Sequence, residues 1–172
     1  MVLRFQSVAP VRALLRRGLR FVLMLVLSVA LGSSLLASEA AAAKKAPTTI
    51  SPADMAAITK QAEGFLAARD RLPELATLVN ERNWVFTRNL IHGPMQEVSR
   101  EMLYINQRLL PVDRPEATKR ANNLKSALAD LDEAARQQDG EALRKAYIKV
   151  ASGFGLYAQV FPDQVKQDLK QV

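Results

Sequence analysis

The sequence predicts an all-α fold: an up-down four-helix bundle with a kinked long second helix and a flexible N-terminal tail. Three observations carry this reading. Apolar residues recur at three- and four-residue spacing through four stretches between Ser51 and Phe161, which is the signature of helices with one buried face. The connections between the stretches are short and rich in Pro, Asn, Asp and Gly, so consecutive helices run antiparallel. No alternating strand pattern and no fixed-period repeat competes with them.

The first 43 residues read as a separate segment. Arg4, Arg12, Arg16, Arg17 and Arg20 precede an apolar run from Phe21 to Leu36, and small residues follow around Ala40 to Ala43. That order is the layout of a cleaved export signal, so residues 1–43 are assigned to a signal peptide. The alternative, a retained membrane anchor, asks for a longer unbroken run than one carrying Ser28, Gly32, Ser33 and Ser34. Arg16-Arg17 is compatible with twin-arginine export, and a Sec signal carries arginines too.

Without the leader the charge balance changes. The whole chain holds 24 basic and 17 acidic residues, for a net charge of +7. Residues 44–172 hold 19 and 16, for a net charge of +3. The basic balance is therefore largely a property of the leader, and no basic block interleaved with aromatics points to nucleic acid. The chain has no cysteine, which excludes disulfides, thiolate metal sites, thiol nucleophiles and a cysteine-linked lipid anchor. About 129 residues are long enough to bury about two-thirds of their unfolded surface without cross-links.

Residues 44–50, with two lysines, Pro47 and two threonines, are expected to form a flexible tail. The bundle domain is assigned to residues 51–172. Ser51-Pro52-Ala53-Asp54 opens the first helix, with Ser51 as cap, Pro52 in the first turn and Asp54 at the positive end of the dipole. Ile58, Ala62, Phe65 and Leu66 share its apolar face. Leu72-Pro73 interrupts it, and a short second segment carries Leu75, Leu78 and Val79.

Asn83 to Pro111 reads as one long helix, about 40 Å if straight, kinked at Gly93-Pro94. Trp84, Ile91, Met95, Val98, Met102, Ile105 and Leu109 form its core seam. Phe86, Asn89, Gly93, Gln96, Arg100, Tyr104 and Gln107 form the opposite, outward line. Asp113-Arg114-Pro115-Glu116 is expected to start the next helix as a capping box. Its seam is Ala117, Ala121, Leu124, Leu128, Leu131 and Ala135. Gln137 to Gly140 is a tight connection. The last helix runs from about Glu141, with Leu143, Tyr147, Val150, Phe154, Tyr157 and Phe161 inward. Pro162 is expected to end it, leaving a short charged tail.

Enzyme chemistry finds little support in these residues. A di-metal bundle needs several inward Glu and Glu-x-x-His motifs, and this chain has one histidine and apolar seams. His92 with Met95 or Met102 could ligate a haem, but methionine is ordinary core filler and no convergent polar set accompanies them. The expected inventory is no catalytic residue, no cofactor and no metal. His92, beside the kink, is expected to satisfy a backbone carbonyl freed by Pro94. Arg88 is expected to pack its stem over Trp84 with its head in water; the alternative is an ion pair with a bundle carboxylate or a partner. Phe86, Asn89, Arg100 and Tyr104 are the candidate protein-interface line, because aromatics and Arg are enriched at interfaces. The competing possibility is that segment 73–81 or the tail covers the two aromatics. Lys119, Arg120, Lys125, Arg144, Lys145 and Lys149 read as a solvated face that could also meet an acidic protein surface.

The run W-V-F-T-R-N-L-I-H-G-P-M-Q-E-V-x-R-E-M-L-Y-I-N-Q-R-L-L-P from Trp84 to Pro111 resembles the cyanobacterial PsbQ-like proteins, as does ARDRLPELATLVNERN from Ala68 to Asn83. The resemblance covers 51–162 in layout and 68–111 in motif. It implies a non-catalytic extrinsic protein of photosystem II on the lumenal face of the thylakoid membrane. It further implies a four-helix bundle that docks on lumenal subunits, stabilises the oxygen-evolving complex, and supports calcium and chloride retention and assembly. Cyanobacterial members are commonly lipoproteins. This chain lacks the cysteine, so peripheral attachment through protein contacts is expected. The interface set, read from the residues themselves, is Phe86, Arg88, Asn89, His92, Arg100 and Tyr104. From the residues alone, a general periplasmic binding or chaperone-like bundle is the other reading.

Overall fold

The computed structural model describes residues 47–170. The leader 1–43 and the start of the tail lie outside them. The described residues are all-helical: α1 Pro52–Arg69, α2 Leu72–Asn80, α3 Trp84–His92, α4 Val98–Arg108, α5 Arg114–Gln137, α6 Gly140–Ala158 and α7 Asp163–Asp168. No strand occurs among them. In contact terms α5 packs on α6, α3 and α4; α1 packs on α4; α2 packs on α6 and α3; and α7 packs on α1.

Local chemistry sets the ends. Ser51 accepts from the Asp54 N–H at 3.1 Å, and Pro52 sits in the first turn of α1. Asn83 accepts from the Phe86 N–H at 3.3 Å and starts α3. Asp139 accepts from Glu141 and Ala142 N–H at 3.0 Å each and starts α6. The turn before it closes with Gln138 at φ 58°, a left-handed position filled without glycine. The capping box at Asp113 does not form. Asp113 is already helical (φ −89°, ψ −21°) and makes no side-chain cap, and Glu116 accepts from Arg120 Nε at 2.8 Å instead.

The expected single long helix is two helices. Pro94 has no N–H to offer the Leu90 carbonyl four residues back. That carbonyl is taken by Met95 N–H at 3.2 Å, one residue later, and Gln96 and Val98 close further turns. Gly93, with φ −104° and ψ −103°, carries the change of direction. The carbonyl freed by Pro94 is thus satisfied by backbone, not by His92. The apolar seam survives the break: Ile91, Met95, Val98, Met102, Ile105 and Leu109 are all buried. Trp84, expected in the core, is only partly buried at its edge, because it occupies the first turn of α3.

The charged tail is also folded. Pro162 ends nothing; it is the N-cap of α7, and Val165 is fully buried. Tyr157, Phe161 and Val165 continue one four-residue spacing onto the core. Phe65 of α1 meets Phe154, Tyr157 and Phe161 at centroid distances of 5.2, 5.0 and 5.6 Å, the tilted and edge contacts that aromatic rings favour. The Tyr157 hydroxyl shares its proton between the Met102 carbonyl at 3.0 Å and Asn106 Oδ1 at 2.8 Å. Burial pushes that phenol upward, so it stays protonated.

The tightest helix pair is α5 against α6. Alanines at 117, 121, 127, 134 and 135 of α5 are buried. Gly153 of α6 lies where a Cβ would sit 3.0 Å from Leu124 Cδ1 and 3.4 Å from its Cα. Gly155, two residues on, faces open space.

Candidate protein interface

The outward residues lie on two helices, α3 and α4, joined by the 93–97 turn. On α3, Phe86 is 60% exposed, and Val85, which the periodic outward line omits, is exposed beside it. Asn89 is exposed on the same helix. On α4, Tyr104 and Leu103 are exposed, and Arg100 is exposed and paired with Glu97 at 2.6 Å. Arg108 lies 5.8 Å from the Tyr104 ring centroid and donates to the Tyr104 carbonyl at 3.0 Å. The stacked guanidinium restrains the ring and keeps both charge and aromatic surface outward. Neither α2 nor residues 47–50 bury Phe86.

Arg88 and His92 are brought together by a residue the sequence reading did not select. Asp132 of α5 accepts from Arg88 Nε at 2.9 Å and pairs with His92 Nε2 at 2.8 Å, both on Oδ1. The carboxylate accepts, so His92 donates from Nε2. For Arg88 the alternative reading, an ion pair with a bundle carboxylate, is the one that forms in place of a head left in water, and His92, expected to satisfy a freed backbone carbonyl, is bound to a side chain. Burial pushes the Asp132 carboxyl upward, but the hydrogen bonds from Arg88 and His92 outweigh it and hold the group below its ordinary value. Arg88 and His92 lie one helical turn apart on α3, so one carboxylate clamps the C-terminal turn of α3 to α5 just before the break. Beside it, Glu133 is lowered to about 2 by hydrogen bonds from Arg136 and Gln137.

Part of the basic face is also spent internally. Arg120 Nη1 donates to the Leu156 carbonyl at 2.7 Å and to Gln159 Oε1 at 2.9 Å, tying α5 to the end of α6. Lys149 pairs with Asp130 at 3.2 Å. Among the described residues, no group of three or more His, Cys, Asp or Glu side chains could hold a metal ion. No helix among them is long and apolar enough to cross a membrane. The surface with contact-forming chemistry is therefore the outward side of α3 and α4: aromatic and aliphatic side chains beside arginines, on helices anchored from behind.

Two comparisons place the whole chain among known proteins. The family model for PsbQ, described as oxygen evolving enhancer protein 3, matches residues 3–157. A relative in Synechocystis sp., named CyanoQ, is 31% identical over 140 residues, covering 81% of this chain and 94% of that protein.

Proposed function

This chain belongs to the PsbQ family, and we propose that it is a non-catalytic extrinsic subunit of photosystem II. It acts at the lumenal face of the thylakoid membrane, as part of the oxygen-evolving complex. The observation that carries this is the extent of the family match, residues 3–157, which spans every helix that forms the core up to Tyr157. A local motif could be borrowed; a match through the packing residues of α1 to α6 implies the same kind of molecule.

The mechanism is docking of a rigid helical body. In this reading α1 with α2, α3 with α4, α5, and α6 serve as the four rods of an up-down bundle over residues 51–172. Residues 1–43 serve as the export signal and residues 44–50 as a tail. The outward side of α3 and α4 meets lumenal protein subunits, with Phe86 and Tyr104 supplying area and Arg100 supplying orientation. Binding of that kind shields the metal centre from reductants and slows loss of calcium and chloride, with no ligand donated by this chain. It also favours the assembled complex by mass action. Deleting the gene and measuring oxygen evolution in calcium- or chloride-poor medium tests the role. A loss of activity that deepens as either ion is withdrawn is expected. Unchanged activity would remove the stabilising role.

A further inference from the structure

Glu101 of α4 is a half-buried carboxylate at the edge of the α1–α4 contact. It projects from α4 toward α1, where Gly64 leaves room for it: a Cβ at position 64 would sit 2.9 Å from Glu101 Oε1 and 3.1 Å from its Cδ. The carboxyl therefore sits close against α1 at Gly64. Its other oxygen, Oε2, is buried and has no hydrogen-bond partner. An ionised carboxylate is acceptor-only, so a buried oxygen left without a donor makes the charged form costly.

The surrounding charges do not repair this. Arg100, the nearest cation in sequence, draws the carboxyl downward without outweighing burial, and it is itself bound to Glu97 at 2.6 Å. Lys60 of α1 attracts the carboxylate and Glu97 repels it, while burial is the largest influence and raises the carboxyl above its ordinary value. Glu63, next to Gly64 on α1, is exposed.

The geometry points to Glu101 as a proton-operated latch between α1 and α4. With its proton on, the neutral carboxylic acid rests against Gly64 and the two helices stay closed over Phe65 and Met102. When the proton leaves, the carboxylate gains by turning to water, and the contact loosens. The sign follows from the direction of the displacement. A carboxyl raised in the fold binds its proton more tightly there than in the opened chain. Its contribution is complete below the ordinary carboxyl range and is lost as pH rises through the raised folded value. This is opposite to Asp132.

Two measurements on the full chain test the latch. The first is a carboxyl-carbon NMR titration of Glu101 in the wild type and in Gly64→Ala. The wild-type group is expected to titrate above the ordinary glutamate range and to return to it in Gly64→Ala, where the added methyl displaces it. The second is hydrogen exchange of α1 and α4 amides across pH, taken as the ratio of wild type to Glu101→Gln. The glutamine mimics the neutral acid, so the ratio is expected to stay near unity in acid. It should then rise by up to about tenfold for each pH unit of displacement as Glu101 ionises. A Glu101 that titrates within or below the ordinary range overturns the proposal, because it is then an ordinary solvated or Lys60-paired carboxylate. A pH-independent exchange ratio overturns it as well, because the contact is then static packing.

Discussion

Arg88 and Asp132, 44 residues apart, meet at 2.9 Å, and the Asp132 oxygen that receives the guanidinium also receives His92 at 2.8 Å. One acidic residue on α5 thus holds two of the residues proposed for the interface. The pair is partly exposed, at 41% for Arg88 and 23% for Asp132, so its value is that of a screened ion pair. Asp132→Ala is expected to cost about 1 kcal/mol. A double-mutant cycle with Arg88→Ala should return a coupling of about 0.5–1 kcal/mol in chemical denaturation. Additive single substitutions would show that the contact contributes nothing to stability.

The same clamp has a pH signature. Asp132 is lowered in the fold, so its contribution is present above the ordinary aspartate value and is lost as pH falls through the lowered folded value. The stability gap between wild type and Asp132→Asn is expected to be wider at about pH 5 than at about pH 2. Denaturation midpoints at the two pH values check this. A gap that widens in acid contradicts the sign.

Gly153 and Gly155 are expected to respond in opposite directions to the same substitution. An alanine at 153 puts a methyl 3.0 Å from Leu124 Cδ1 and 3.4 Å from the Leu124 backbone, at the closest approach of α5 and α6. The overpacking, about 1–3 kcal/mol, exceeds the helix-propensity gain of about 1 kcal/mol, so net destabilisation follows. Gly155→Ala meets nothing within 4 Å and keeps the propensity gain, up to about 1 kcal/mol. Thermal or denaturant unfolding of both variants decides this.

Tyr157→Phe removes a buried side-chain hydroxyl tied to the α4 backbone and leaves Asn106 without that donor. A loss of about 1–2 kcal/mol is expected, read as a lower denaturant midpoint with an unchanged slope. No loss would mean that Asn106 re-pairs without the hydroxyl.

Much of the core was legible because periodicity reports a face directly. The seams from Ile91 to Leu109 and from Ala117 to Ala135 needed only spacing. The break at 93–97 was not legible as a break. The wide Leu90 to Met95 turn is followed by two tight ones, Gly93 to Gln96 and Met95 to Val98, and Met95 and Val98 stay buried, so the apolar spacing runs on as if the helix were continuous. Tyr157, Phe161 and Val165 carried the signal for α7, but Pro162 was read as a terminator when it serves as the cap. The Asp132 clamp could not be found from spacing. Its partners lie on another helix, and an acidic residue beside a seam gives no direction in three dimensions. Phe86, Arg100 and Tyr104 were legible as outward residues; that they sit on two helices was not, for the same reason the break was not.

We propose the outward side of α3 and α4 as the face that meets photosystem II. The most direct test is co-purification of the Phe86→Ala, Arg100→Ala double variant with the complex from solubilised thylakoids. Both side chains are exposed, so the variant is expected to keep the wild-type helical content and unfolding midpoint. The double variant is expected to be depleted from the complex while wild type is retained. A folded double variant that co-purifies as well as wild type would contradict it.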